Sequence, residues 1–121
     1  MNEKEQNMAL DELIDKSPLF SNYLKKWHNV EIKPNPSYTL CEIDGLYEYP
    51  TFLILFEDKA NARHGCYKKM ESQMIKYKRY ENSIQKHLGI DRKPVYYFFA
   101  HFENDEIHIE YEGIKLLYSK K

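Results

Sequence analysis

Residues 49–59 read Tyr-Pro-Thr-Phe-Leu-Ile-Leu-Phe-Glu-Asp-Lys. The apolar run Phe52–Phe56 is typical of a buried β-strand, and it leads directly into Glu57, Asp58 and Lys59. Carboxylate and ammonium groups at the end of such a strand are costly to bury unless they are paired or bind a metal ion. Because side chains alternate along a strand, Glu57 and Lys59 are predicted to share one face, with Asp58 on the other.

A second predicted strand, Tyr38–Asp44, ends at Gly45 and can pair with the first as its antiparallel neighbour. That pairing would bring Asp44 beside Glu57. Two carboxylates and a main-chain carbonyl suit Mg²⁺ or Mn²⁺, which take few protein ligands and keep several waters. We therefore expect Asp44, Glu57 and the Asp58 carbonyl to hold the metal, and Lys59 to orient or deprotonate a water molecule.

The composition predicts one folded domain, residues 1–121, with 42% apolar and 15% aromatic residues. No apolar run is long enough to span a membrane, and the polar N-terminus is unlike a secretory signal. Cys41 and Cys66 lack CxxC spacing, so reduced thiols and a cytoplasmic, intracellular location are expected, with a disulfide left open.

The net charge of −1 hides a strong asymmetry along the chain. Residues 59–93 contain ten Lys/Arg and three Asp/Glu, a balance of +7, whereas the remainder contains eight and 16, a balance of −8. A basic segment directly after an acidic cluster can hold a polyanion while the acids hold divalent cations. A solvated helix face rich in lysine is the alternative interpretation.

The hydrophobic periodicity predicts the order ααβββαββ. The predicted elements are helices Glu3–Lys16 and Ser17–Trp27, strands Val30–Lys33, Tyr38–Asp44 and Thr51–Lys59, helix Gly65–Leu88, and strands Val95–Ala100 and Glu106–Glu110, followed by an ambiguous tail. The crossover through the long helix should make the Thr51–Lys59 and Val95–Ala100 strands parallel. In that helix, apolar residues from Cys66 to Leu88 recur every three or four positions, and Gly89 is a natural stop.

The pattern Ile43-Asp44, a hairpin and Glu57-x-Lys59 resembles the PD-(D/E)xK nuclease superfamily. Residues 73–77 read Gln-Met-Ile-Lys-Tyr and match the QxxxY element of its RecB-type branch. The resemblance covers about residues 38–100. It implies an α/β fold with a restriction-endonuclease-like core, αβββαβ, whose mixed central sheet is flanked by helices. It also implies that Gln73 and Tyr77 help to position the substrate or the catalytic lysine.

Many members of this superfamily also carry a helical glutamate near the N-terminus, for which Glu12 is the candidate and Glu5 the second choice. The resulting expectation is a Mg²⁺- or Mn²⁺-dependent DNA nuclease. Arg63, Lys68, Lys69 and Lys76 are expected to bind backbone phosphates. A homodimer is a further expectation, by analogy with small nucleases that cut both strands. RNA cleavage by the same site and a non-catalytic module that binds nucleic acid or protein are the alternatives.

Overall fold

The computed structural model describes residues 3–33, 35–59, 66–103, 106–112 and 114–118. These residues form three helices and a six-stranded mixed sheet of an α/β protein. In chain order, the elements are α1 Glu3–Lys16, β1 Lys25–Ile32, β2 Cys41–Glu48, β3 Leu53–Lys59, α2 Cys66–Arg79, α3 Glu81–Leu88, β4 Val95–Glu103, β5 Glu106–Tyr111 and β6 Ile114–Tyr118. The strands lie side by side in the order β1 to β6. Strands β3 and β4 are parallel, as predicted, and the other neighbouring pairs are antiparallel.

The alternation of side chains along β3 separates two hydrophobic cores. Ile54 and Phe56 pack in the core that contains α1, whereas Leu53 and Leu55 pack in the core that contains α2 and α3. We call these two sides of the sheet the α1 face and the α2 face. The predicted central sheet flanked by helices is therefore confirmed.

The predicted second helix, Ser17–Trp27, is wrong. Residues 18–22 form turns, and residues 25–32 form strand β1, which pairs with β2 along its length. Leu19 and Leu24 are 71% and 63% exposed, so the apolar residues of this segment do not line one buried helical face. The apolar spacing was helical, but the hydrogen bonds of the sheet decide the conformation.

Strand β2 begins later than predicted and continues through the predicted connection to Glu48. Leu46 and Tyr47 are almost fully buried, one against each core, which is the burial pattern of a strand rather than a loop. The hairpin then turns between Tyr49 and Phe52, whose backbones are joined by a 2.9 Å hydrogen bond.

The predicted long helix is divided at Tyr80 into α2 and α3. The Tyr80 amide lies 3.3 Å from the Lys76 carbonyl and 3.1 Å from the Tyr77 carbonyl, a tightened turn that ends α2. Gly89 ends α3 with φ 71°, as predicted. None of the helices in the described ranges is long and apolar enough to cross a membrane.

Candidate functional site

A buried carboxylate and a buried hydroxyl meet on the α2 face. Glu57 is 3% exposed near the end of β3, and Tyr77 is 1% exposed on α2. The Tyr77 hydroxyl lies 3.0 Å from Glu57 Oε2 and 2.7 Å from the Glu42 main-chain oxygen. One side chain of α2 therefore fixes both the Glu57 carboxylate and the β2 backbone next to it.

Asp44 belongs to the same group of polar residues. The β2–β3 register pairs Gly45 with Phe56, so the next position sets Asp44 opposite Glu57. The pKa of Tyr77 is raised well above its ordinary value, first by burial and then by the negative charges of Glu57 and Asp44. The hydroxyl therefore stays protonated near neutral pH and donates to Glu57, and it lies within the electrostatic influence of both carboxylates. The structure thus brings together the predicted residues Asp44, Glu57 and Tyr77.

The strand next to Asp44 is irregular. Asn29 of β1 has φ 51°, and it interrupts the β1–β2 register between the pairs His28–Gly45 and Val30–Ile43. His28 consequently faces α1 while Val30 packs in the core under α2, although residues two apart on a regular strand share a face. The candidate site therefore lies beside this irregular position of β1.

An acidic residue of α1 supports this irregular region, and sequence reasoning missed it. Asp11 accepts hydrogen bonds from the Tyr47 hydroxyl and from His28 Nε2, the latter at 2.8 Å, and its Oδ2 lies 3.1 Å from Lys26 Nζ. His28 Nδ1 in turn lies 3.4 Å from the Asp44 main-chain oxygen. The sequence signal for Asp11 was its position between the buried residues Leu10 and Ile14 of α1. That signal could be interpreted only with β1 recognised as a strand beside the helix.

The remaining predicted catalytic residues flank Glu57 and Tyr77. Asp58 and Lys59 complete β3, where the Lys59 backbone pairs with His101 of β4, and the side chains of both lie outside the described residues. Gln73 is exposed on α2 one helical turn before Tyr77, on the same side of the helix. Gln73 and Tyr77 therefore lie next to each other along α2, with Gln73 exposed to solvent and Tyr77 buried.

The predicted phosphate-binding residues lie on or before α2. Lys68 and Lys76 are exposed on that helix. Burial raises the pKa of the Cys41 thiol at the start of β2, and the positive charge of Lys76 partly opposes this increase. Arg63 and the side chain of Lys69 lie outside the described residues.

Glu12, the predicted helical glutamate, does not lie with Glu57 and Tyr77. It is exposed on α1, and its carboxylate lies 2.6 Å from the ammonium group of Lys16 one turn later. Helix α1 packs on the α1 face, whereas Glu57 and Tyr77 lie on the α2 face. The acidic residue of α1 that reaches the strands is Asp11, one position earlier.

The donor set fits a hard divalent cation. Glu57 offers a carboxylate that is almost fully buried, a position that an adjacent cation would stabilise. Among the described side chains, no three His, Cys, Asp or Glu converge as a complete cage. Mg²⁺ needs one or two carboxylates and retains water, so Asp44, Glu57 and the Asp58 carbonyl are a sufficient protein contribution.

Such an arrangement can position a cation, a water molecule and an anionic substrate on the α2 face of β2 and β3. Comparison of the chain with protein-family models, curated proteins and solved structures finds no match.

Proposed function

We propose that this protein is a metal-dependent nuclease that hydrolyses phosphodiester bonds in DNA. The observation that carries the proposal is the hydrogen bond from the Tyr77 hydroxyl to the buried Glu57 carboxylate, with Asp44 opposite Glu57 in the strand register. These are the residues of the Asp-x₁₂-Glu-x-Lys and QxxxY patterns, which lie apart in the sequence. Their meeting is expected of a nuclease site, and the hydrophobic pattern alone does not require it.

The order of elements supports a restriction-endonuclease-like core of the PD-(D/E)xK type. Elements α1, β1, β2, β3, α2 and β4 follow the order αβββαβ, with α3, β5 and β6 as additions. The antiparallel β2–β3 hairpin and the parallel β3–β4 pair are the strand relations that this core requires. In the proposed assignment, β2 supplies Asp44 and β3 supplies Glu57 and Lys59.

In the proposed mechanism, Asp44, Glu57 and the Asp58 carbonyl would hold Mg²⁺ or Mn²⁺. When bound, the cation supplies Lewis-acid stabilisation of the phosphate and lowers the pKa of a water ligand. Tyr77 donates a hydrogen bond that fixes the orientation of the Glu57 carboxylate. Strand alternation predicts that Lys59 shares the face of Glu57, where its ammonium group would orient the attacking water.

Binding of DNA is assigned to the basic residues of α2. Lys68 and Lys76 are exposed on the helix that carries Tyr77, so phosphates held by them would lie along the helix that contacts Glu57. Phosphate contacts of this kind release counterions, and the affinity should therefore fall as salt concentration rises. This assignment agrees with the excess of Lys and Arg in residues 59–93.

The test is a cleavage assay with Mg²⁺ or Mn²⁺ on linear, circular, branched and single-stranded DNA, with RNA as a separate substrate. Glu57→Gln and Lys59→Ala should each reduce cutting by at least about 100-fold, since each removes a group that holds or orients a reacting species. Glu31→Gln is the matched control, because Glu31 is exposed on β1 and pairs with Lys33 at 3.0 Å. Loss of the charge at that position should leave cutting unchanged.

The proposal fails if no DNA is cut, or if both site variants cut at the rate of the unmodified protein. Cutting confined to RNA would replace DNA with RNA as the substrate. Salt-dependent binding of DNA without cutting in either metal would favour a non-catalytic binding module.

A further inference from the structure

A groove of about 770 Å³ opens on the α2 face beside the candidate nuclease site. Helix α2 contacts β3, and the groove lies between this helix and the next two strands, β4 and β5. Phe99, which lines the groove, pairs in register with Glu57 of β3. The groove is therefore one strand away from the proposed metal ligands, and it takes no part in the mechanism above.

The floor of the groove is aromatic. Tyr97 and Phe99 are two residues apart on β4, lie on the same face and are half-buried. Ile75 of α2 forms part of the wall and is 62% exposed. The Tyr97 hydroxyl donates a hydrogen bond to Glu81, which fixes the plane of the ring.

One face of this floor already accommodates a cation. The ammonium group of Lys78 lies 5.5 Å from the centroid of the Tyr97 ring, within the range of a cation–π interaction. The electron-rich ring and its fixed orientation suit a positively charged group, because the face of an aromatic ring carries negative electrostatic potential. The contact shows that a side-chain cation reaches the ring, and a partner's cation would take the place of the Lys78 ammonium group there.

The rim of the groove is acidic. Its described lining contains four glutamates, at positions 71, 81, 110 and 112, and one lysine, at position 78. The excess of negative charge repels phosphate and attracts a cation. This rim contrasts with Lys68 and Lys76 on the same helix, to which the proposed function assigns the DNA backbone.

We propose that this groove binds an arginine or lysine side chain presented by a peptide segment of a partner protein. The aromatic floor supplies stacking and cation–π attraction, and the glutamates supply charge neutralisation and hydrogen-bond acceptors. A guanidinium group combines a flat surface with several donors and suits both features. The bound segment would lie beside Glu57, but its binding does not depend on nuclease activity or on a metal ion.

The experiment titrates the isotopically labelled full chain, without metal, with a short glycine peptide that contains two arginines. The matched control peptide contains citrulline, which has nearly the same shape and no charge, at both positions. We expect the amide resonances of Ile75, Tyr97 and Phe99 to shift. The arginine peptide should bind at least about tenfold more tightly than the citrulline peptide, and its affinity should fall with added salt.

Variants separate the role of the ring from the role of charge. Tyr97→Phe keeps the ring and should bind within about twofold of the unmodified protein, whereas Tyr97→Leu should bind about five- to tenfold more weakly. Glu71→Gln, an exposed change on the rim, should also weaken binding, and Glu31→Gln on β1 should not. If circular dichroism shows that Tyr97→Leu is unfolded, Glu71→Gln decides.

Equal binding of the arginine and citrulline peptides would overturn the proposal, as would the absence of shifts in the groove. Shifts of the same amides by a deoxynucleoside monophosphate, with none by the arginine peptide, would also overturn it and assign the groove to a nucleobase. Because no metal or cleavage is involved, failure here leaves the proposed nuclease activity untouched, and failure of the cleavage assay leaves this result untouched.

Discussion

Replacement of Tyr77 by phenylalanine tests the central contact of the candidate site. The change removes one oxygen atom and keeps the aromatic ring, which is 1% exposed in the core under α2. The Glu57 carboxylate and the Glu42 carbonyl oxygen lose the hydroxyl that lies 3.0 and 2.7 Å from them. Any effect on stability therefore comes from the hydrogen bonds and not from a large cavity.

The expected loss is about 2–3 kcal/mol in the free energy of unfolding at neutral pH. A hydrogen bond to a charged group contributes about 1.5–3 kcal/mol, and the partner left behind is a buried carboxylate whose desolvation is no longer offset. Tyr80→Phe is the matched control, since Tyr80 lies three residues later and is partly buried. Its effect should stay within about 0.5 kcal/mol.

The pH dependence gives an independent check with a defined sign. Burial, followed by the charges of Glu57 and Asp44, raises the pKa of Tyr77 above the ordinary value of 10.0. Below pH 10 both the folded and the unfolded chain keep the proton, and the contribution of Tyr77 to stability is complete. Above it the unfolded chain releases the proton first, so stability falls with rising pH by up to about 1.4 kcal/mol per pH unit.

The assay is urea denaturation of the unmodified protein, Tyr77→Phe and Tyr80→Phe at neutral pH and again above pH 10. The gap between the unmodified protein and Tyr77→Phe should narrow as pH rises, because the variant lacks the group that titrates. Burial also raises the pKa of Tyr49 and Tyr97, but these residues are common to all three proteins. Equal effects of the two substitutions, or a gap that is constant with pH, would refute the assigned role of Tyr77.

Three further changes test the surroundings of the site. Asp11→Asn should lower stability by about 1.5–3 kcal/mol at neutral pH. Burial alone would raise the pKa of Asp11, but hydrogen bonds from Tyr47 and His28 outweigh burial and hold the pKa below 3.8. Acidification through this range protonates Asp11 and removes its contribution to stability. Acid denaturation should therefore show a smaller loss of stability in the variant than in the unmodified protein. Asn29→Val should cost about 1–2 kcal/mol in urea denaturation because φ is 51° there, whereas Asn29→Gly should be nearly neutral. Lys76→Ala should reduce the slope of log affinity for DNA against log salt concentration by about 1, measured by fluorescence anisotropy.

Local sequence patterns predict the elements in which apolar residues recur at the regular spacing of a strand or a helix. The apolar run before Glu57 gives β3, and helical spacing gives Met74, Tyr77 and Ile84 as buried residues, which are 6%, 1% and 3% exposed. The same spacing does not reveal the break at Tyr80, because the apolar row continues through it into α3. A tightened turn can end one helix and begin the next without changing which residues are apolar.

The error at β1 has a different cause. Ser17-Pro18 is a favourable helix start, and the apolar residues that follow have helical spacing. Strand β1 forms because it pairs with β2, a contact between distant parts of the chain that propensity does not report. The same long-range pairing places His28 between Asp11 and the Asp44 backbone. These contacts could not be predicted once β1 had been assigned as a helix.

The nature of the Glu57–Tyr77 pair argues for a function in addition to stability. Position 57 follows Leu53 and Leu55 on the α2 face, and position 77 continues the apolar row of α2, so leucine and phenylalanine would satisfy the fold there. Replacing both partners of a buried hydrogen bond by apolar groups of similar shape can be nearly neutral or stabilising, whereas leaving one buried partner unsatisfied costs about 1–3 kcal/mol. The double variant Glu57→Leu/Tyr77→Phe should therefore be more stable in urea than Tyr77→Phe, because no buried carboxylate is left without its donor, and it should be inactive in DNA cleavage. A double variant as unstable as the sum of the two single changes would show that the fold itself requires the pair, which would remove the reason to assign it a function.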